Sequence, residues 1–181
     1  EVLCSRVRRR VSPHKVGVRR WIEVHETAHR MGLKTTATLV YGLGESFRDI
    51  LVHLNNIRNL QARTGGFTAF IPWSFQSGNT GLKAAKSGPA LYLRVMAVSR
   101  ILLDNIPNFQ VSWVTQGPDI AQLALYYGAN DFGSTMMEEN VVRAAGCSFR
   151  MMDESAISSL VRGAGFIPVL RRQDYSRVRQ L

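Results

Sequence analysis

An amide and a carboxylate stand side by side at Asn130-Asp131, and Glu138, Glu139 and Asn140 follow within the same short stretch. The pair comes directly after the apolar run from Ile120 to Tyr127, with a Gly133-Ser134 turn behind it. Polar groups gathered where a buried element emerges are the usual layout of a site. Carboxylates there can accept hydrogen bonds from hydroxyls or take up a proton. Three further stretches have the same character: Gly42-Leu43-Gly44-Glu45; Trp73 to Thr80 with Trp73, Gln76 and Asn79; and Thr115-Gln116-Gly117 behind Trp113. Together they suggest one small-molecule pocket lined by Glu45, Trp73, Gln76, Asn79, Thr115, Gln116, Asn130, Asp131 and Ser134.

Each stretch follows an expected strand. Leu33 to Tyr41 is rich in β-branched residues and reads as a buried strand. Ser46 with Asp49 three residues on is an acidic form of the capping box, opening a helix with Ile50, Leu51, Leu54, Ile57 and Leu60 on one face. Phe67 to Pro72 is a second strand, residues 89 to 103 a helix, and Phe109 to Val114 a third strand. Pro118 suits the first turn of another helix, and Ala129 to Phe132 is a short last strand. An earlier helix carries Val18, Trp21, Ile22 and His25 and ends near Gly32. Helices are also expected over residues 135–145 and 153–164, with Asp153 as N-cap. An extended piece and a frayed basic tail over 171–181 follow. Strand, loop and helix recur at the rhythm of βαβ units, so the fold class is α/β with a parallel sheet. A closed (β/α)8 barrel typically needs ~250 residues; 181 residues suggest the later half of one, or else an open doubly wound sheet.

The formal charge of +10 invites a nucleic-acid partner, but the basic residues crowd the first twenty positions and the last twenty without interleaved aromatics. Nucleic acid is therefore disfavoured, and the basic ends are expected to be solvated. No apolar run is long enough for a membrane span, and the start does not resemble a signal peptide. Two cysteines, Cys4 and Cys147, give no disulfide framework and suggest a reducing, cytoplasmic setting. Gly42-x-Gly44 is too short for a dinucleotide fingerprint, and Glu45 alone is explained equally well by the helix behind it. His25 and His29 lack a third partner, so no metal site is expected.

Longer motifs go further. GGFTAFIPWSFQSGNT (65–80), SRILLDNIPNFQVSWVTQGP (99–118) and GANDFGSTMMEENVVRAAG (128–146) resemble the radical S-adenosylmethionine enzymes of the futalosine route to menaquinone, in the form of the dehypoxanthine futalosine cyclases. AHRMGLKTTATLVYG (28–42) and SRVRRRVSP (5–13) support the match, which covers nearly the whole chain. The aminofutalosine and deazaflavin synthases share the outline and are the alternatives within the family; a non-catalytic fragment or polyanion-binding module is the alternative outside it.

The resemblance implies a radical S-adenosylmethionine barrel, of which residues 1–181 would be one partial domain, from the end of the fourth strand onward. TTATLVYGLGE (35–45) resembles that superfamily's GxIxGxxE element, with Thr38 in place of its first glycine. Gly42, Glu45 and Arg6 would then lie near the cofactor. The family holds one 4Fe–4S cluster through CxxxCxxC, a motif this sequence lacks, so the chain by itself is expected to be inactive. The implied partners are the missing N-terminal half, an electron donor and a nucleoside-derived substrate. The implied reaction begins with a 5′-deoxyadenosyl radical that takes hydrogen from the ribose C4′. The carbon radical then closes onto the aromatic ring, and loss of an electron and a proton completes the product. Asn130, Asp131 and Glu138 would hold ribose hydroxyls or remove a proton. Gln116 and Asn79 would bind polar groups, and Trp73 and Trp113 would flank the ring.

Overall fold

Thr35–Tyr41 forms the first strand, β1, because three threonines and a valine there favour extended backbone and alternate residues find a core. The computed structural model describes residues 2–82, 84, 85, 87–133, 135, 144, 145 and 152–181. β2 spans Phe67–Ser74 and β3 only Asn108–Phe109, in the order β1-β2-β3, all parallel. A single parallel bridge, Gln110 to Asp131, adds a fourth position beyond β3. The expected α/β class with a parallel sheet is what is found, and it is consistent with part of a barrel. Among the described residues no strand lies on the outer side of β1.

Helices α1 (Ser5–Val11) and α2 (Val18–Arg30) precede β1, and α3 (Phe47–Thr64) and α4 (Pro89–Leu102) alternate with the strands. They are followed by the single turn α5 (Trp113–Gln116), by α6 (Pro118–Ala124) and, after a 3-10 turn, by α7 (Glu154–Gly163). The capping box at α3 forms as its sequence suggests. Ser46 Oγ accepts from Asp49 N, and Asp49 Oδ2 accepts from Ser46 N at 2.8 Å. Gly65 closes the helix in the left-handed region, φ 57°. Asp153 caps α7, its side chain accepting from Ala156 N at 2.8 Å.

One face of the sheet is the core. Ala37, Leu39 and Tyr41 alternate along β1 with Phe70 and Phe109 beside them, all fully buried against Leu54, Ile57 and Leu60 of α3 and Tyr92, Val95 and Met96 of α4. Alternation sends the intervening residues to the other face, the concave one of the barrel with which this sheet is consistent. Val40 pairs with Trp73 and Thr38 with Ile71. Gln110 falls on that face too, one residue past the Phe70–Phe109 pair, and its bridge partner Asp131 lies beside it.

Three expectations are corrected. The third strand is not Phe109 to Val114 but two residues long, because local hydrogen bonds turn the chain into α5. Thr115 Oγ1 meets Ser112 Oγ at 2.7 Å, and Ser112 N donates to the Tyr92 hydroxyl at 2.9 Å. The basic tail is not frayed: Val169–Arg171 (β4) and Arg177–Gln180 (β5) form an antiparallel hairpin, with Asp174 Oδ1 accepting from Ser176 N at its turn. The basic N-terminus is not simply solvated either. It folds into α1, where Arg8 is buried and reaches Val16 O at 2.5 Å while Arg10 reaches Leu43 O at 2.7 Å.

At the start of the strands, His29 joins two threonines. Thr64 Oγ1 donates to Leu60 O, so it accepts from His29 Nδ1 at 2.7 Å, and Thr35 Oγ1 then donates to His29 Nε2 at 2.8 Å. The ring lies so close to Gly66 that a Cβ there would sit 2.0 Å from His29 Cγ.

His53, on α3, is fully buried; its Nδ1 accepts from Leu3 N at 2.9 Å. Burial above all, helped by the Arg8 charge, pushes its pKa down to about 3. The unfolded chain takes up that proton below about pH 6.5, so the stability His53 contributes is present above that pH and declines as pH falls toward 3. His29, also held down mainly by burial, adds in the same direction. Urea unfolding from pH 7 to pH 4 should show falling stability, with a slope of up to about 1.4 kcal/mol per pH unit from His53. In His53→Gln that slope should flatten.

Candidate functional site

The carboxyl ends of β1 and β2 lie side by side, Tyr41 paired with Ser74. Ser74, which no sequence pattern singles out, gathers the expected binding residues. Its hydroxyl accepts from Gln116 Nε2 at 2.5 Å and from Gln76 Nε2 at 2.9 Å. Gln76 also donates to Ser74 O at 3.1 Å. Gln76 and Gln116, forty residues apart in the chain, therefore meet at one strand end. Thr115 lies beside them, buried, its hydroxyl on Ser112. The signal for Ser74 was muted because Pro72 made the strand look finished two residues early.

The tryptophans part company. Trp73 is 41% exposed on the concave side, open to a flat ligand, whereas Trp113 is 4% exposed and packs in the core. Asn79 donates from Nδ2 to Ala144 O at 2.8 Å. The turn after β1 is closed from within: Glu45 accepts from Gly42 N at 2.6 Å and from Leu43 N at 2.7 Å. Gly42 has φ 88°, and a Cβ there would lie 2.5 Å from Ser87 Oγ, so glycine is required twice over. Arg6 is ion-paired with Asp49, whose carboxyl is held well below its usual range chiefly by the Cys4 thiol and Ser46, with Arg6 adding.

Asn130 and Asp131 point in different directions. Asn130 Oδ1 accepts from Phe109 N at 2.8 Å and its Nδ2 donates to Pro107 O at 3.1 Å, at the start of β3. Asp131 is 8% exposed on the concave face. Its Oδ1 accepts from Gly133 N and Arg171 Nε, both at 3.0 Å; its Oδ2 accepts from Arg171 Nη2 and the Tyr175 hydroxyl, both at 2.7 Å. Arg171 also lies 4.1 Å over the Tyr175 ring. Arg171 and Tyr175 went unrecognised because a contact across forty residues leaves no local pattern. Ser134 and Glu138 lie outside the described residues, as do Glu139, Asn140 and nearly all of the helix expected over 135–145. Among the described residues no group of three or more His, Cys, Asp or Glu could hold a metal ion. No helix there is long and apolar enough to cross a membrane.

These features define a parallel α/β chain whose polar and aromatic side chains collect at the strands' carboxyl ends and on one concave face. Residues 64–181 match the family model described as the CofH/MqnC C-terminal region, and the chain belongs to that family. It is 48% identical, over 99% of its own length and 48% of the relative's, to cyclic dehypoxanthine futalosine synthase of Halalkalibacterium halodurans. The protein of the same name from Streptomyces coelicolor is 42% identical over 98% of this chain and 45% of its own. A Methanococcus maripaludis protein named 5-amino-6-(D-ribitylamino)uracil–L-tyrosine 4-hydroxyphenyl transferase is 41% identical over 97% of this chain and 51% of its own. The chain thus spans about half the length of the curated relatives it matches.

Replacing Asp131 by Asn keeps its size but leaves the partly buried Arg171 guanidinium without its counter-charge. The variant should lose about 2 kcal/mol in urea unfolding, between the ranges for exposed and buried pairs. Ser74→Ala should lose about 1 kcal/mol.

Proposed function

We propose that this chain forms the substrate-facing, C-terminal half of a cytoplasmic radical S-adenosylmethionine enzyme that cyclises dehypoxanthine futalosine in menaquinone biosynthesis. The observation that carries it furthest is the 48% identity, over nearly the whole chain, to a relative bearing the name of that cyclase. The concave face agrees in character. Trp73 offers a flat, exposed surface for an aromatic ring, and Thr38, Gln110 and Asp131 supply polar groups one layer below it, suited to a sugar. Gln116 and Gln76, joined at Ser74, are set to orient a polar substituent at the rim. Glu138 is assigned the proton removed in the last stage, and Asn130 keeps the Asp131 strand in register.

A 4Fe–4S cluster does not fit the residues present. The sequence has two cysteines, and the thiol of one, Cys4, donates to Asp49 Oδ1 at 3.0 Å. In the proposed enzyme the cluster and its electron donor are accommodated elsewhere, and no step is assigned to iron here. S-adenosylmethionine fits better. The pre-shaped Gly42–Glu45 turn and the neighbouring basic helix with Arg6 would hold it, and when bound it supplies the hydrogen-abstracting radical. The task of these residues is to bind the substrate, orient it and exclude water.

The second reading is the transferase chemistry named for the Methanococcus maripaludis relative, at 41% identity. Fusing the chain to the N-terminal portion of the Halalkalibacterium halodurans relative and assaying it anaerobically with reductant separates the two. Dehypoxanthine futalosine should yield its cyclic product with equal 5′-deoxyadenosine; tyrosine with the ribityl uracil should yield neither. The reverse outcome would establish the transferase. Gln116→Ala should raise KM about tenfold, an effect read from initial rates.

A further inference from the structure

Asp131 has no acceptor position to spare. A carboxylate offers about four lone-pair sites, and here two lie on Oδ1 with Gly133 N and Arg171 Nε and two on Oδ2 with Arg171 Nη2 and the Tyr175 hydroxyl. A ligand hydroxyl can reach this carboxylate only if one of those donors leaves. Gly133 N is backbone, anchored two residues from Asp131 itself. Arg171 is held by charge, by two prongs on Asp131, by its Nη1 on Arg172 O at 3.0 Å and by its stacking on Tyr175. Tyr175 is neutral and gives a single hydrogen bond. It also sits at φ 67°, among the described residues the one non-glycine with positive φ, a conformation unfavourable for an aromatic residue. It belongs to an exposed turn whose own bonds are few: Arg172 N to Ser176 O at 2.9 Å, Tyr175 N to Arg172 O at 3.1 Å, and Asp174 on Ser176.

We propose that the Tyr175 hydroxyl is a placeholder on Asp131 Oδ2 for a sugar hydroxyl of the substrate. On binding, the sugar takes that position, and the 172–176 turn of the C-terminal hairpin is released while Arg171 stays on the carboxylate. Tyr175 is thus a specificity-determining residue: it makes occupancy of the concave face conditional on a hydroxyl that can replace its own. This rests on the reading of Asp131 as a sugar-binding group of a nucleoside-derived substrate.

The test is binding by calorimetry to the same fusion protein, without reductant so that no turnover occurs. The probes are dehypoxanthine futalosine and an analogue lacking the sugar hydroxyls. Tyr175→Phe keeps the ring beneath Arg171 but removes the competing hydroxyl. It should bind dehypoxanthine futalosine about three- to tenfold more tightly and the analogue unchanged. In the unsubstituted protein, saturating dehypoxanthine futalosine should speed hydrogen exchange at the Arg172 and Tyr175 amides, which needs no variant. Unchanged or weaker binding by Tyr175→Phe, or unchanged exchange at both amides, overturns the placeholder while leaving the functional assignment standing. If Asp131→Asn binds both probes as the unsubstituted protein does, Asp131 is not a sugar acceptor and the inference falls with it. If the unsubstituted protein binds neither probe, the functional assignment itself is lost.

Discussion

Pairing of β2 with parallel neighbours on both sides is the constraint on which the rest of the chain depends. It fixes register, and with a side-chain period of two, register decides which residues reach the core and which the concave face. Phe70 is committed to the helices, Ile71 to the opposite side, and Trp73 must emerge beside Val40. Because the strand ends at Ser74, the loops after β2 and β3 converge on one hydroxyl. A slip of one residue would bury Trp73 and turn Phe70 outward.

The helices α2, α3, α4 and the start of α6 were legible because their signals are local: a capping box, a glycine at a helix end, a proline in a first turn. The class of sheet was legible from the alternation of elements. What was not legible depends on contacts distant in sequence. Ser112 is an ordinary strand residue until Thr115 and the Tyr92 hydroxyl draw the chain into a turn. The basic ends looked like solvated charge because sequence counts arginines without showing their partners, yet Arg8, Arg10 and Arg171 each hold a specific acceptor.

The candidate site shows the same division. The four polar stretches are visible in the sequence as stretches, but residue type does not say which way each side chain turns. Asn130 and Asp131 are neighbours of nearly the same size and shape, and strand alternation separates them: the amide, accepting and donating, secures the start of β3, while the acceptor-only carboxylate enters the concave face. Trp73 and Trp113 look alike in sequence, and only Trp73 has an exposed surface to offer. Glu45 is a reminder that a carboxylate in a loop is often the loop's own fastening.

The contact between Gly66 and the His29 ring has a consequence for how such chains can diverge. With no room for a Cβ at position 66, the two sites form a single unit of change. A side chain at 66 becomes tolerable only after position 29 has shrunk, and that step removes the bridge between Thr35 and Thr64. Drift at either position must therefore pass through a less stable intermediate sequence, so related chains should be sorted into two sets at this pair, with few mixtures between them.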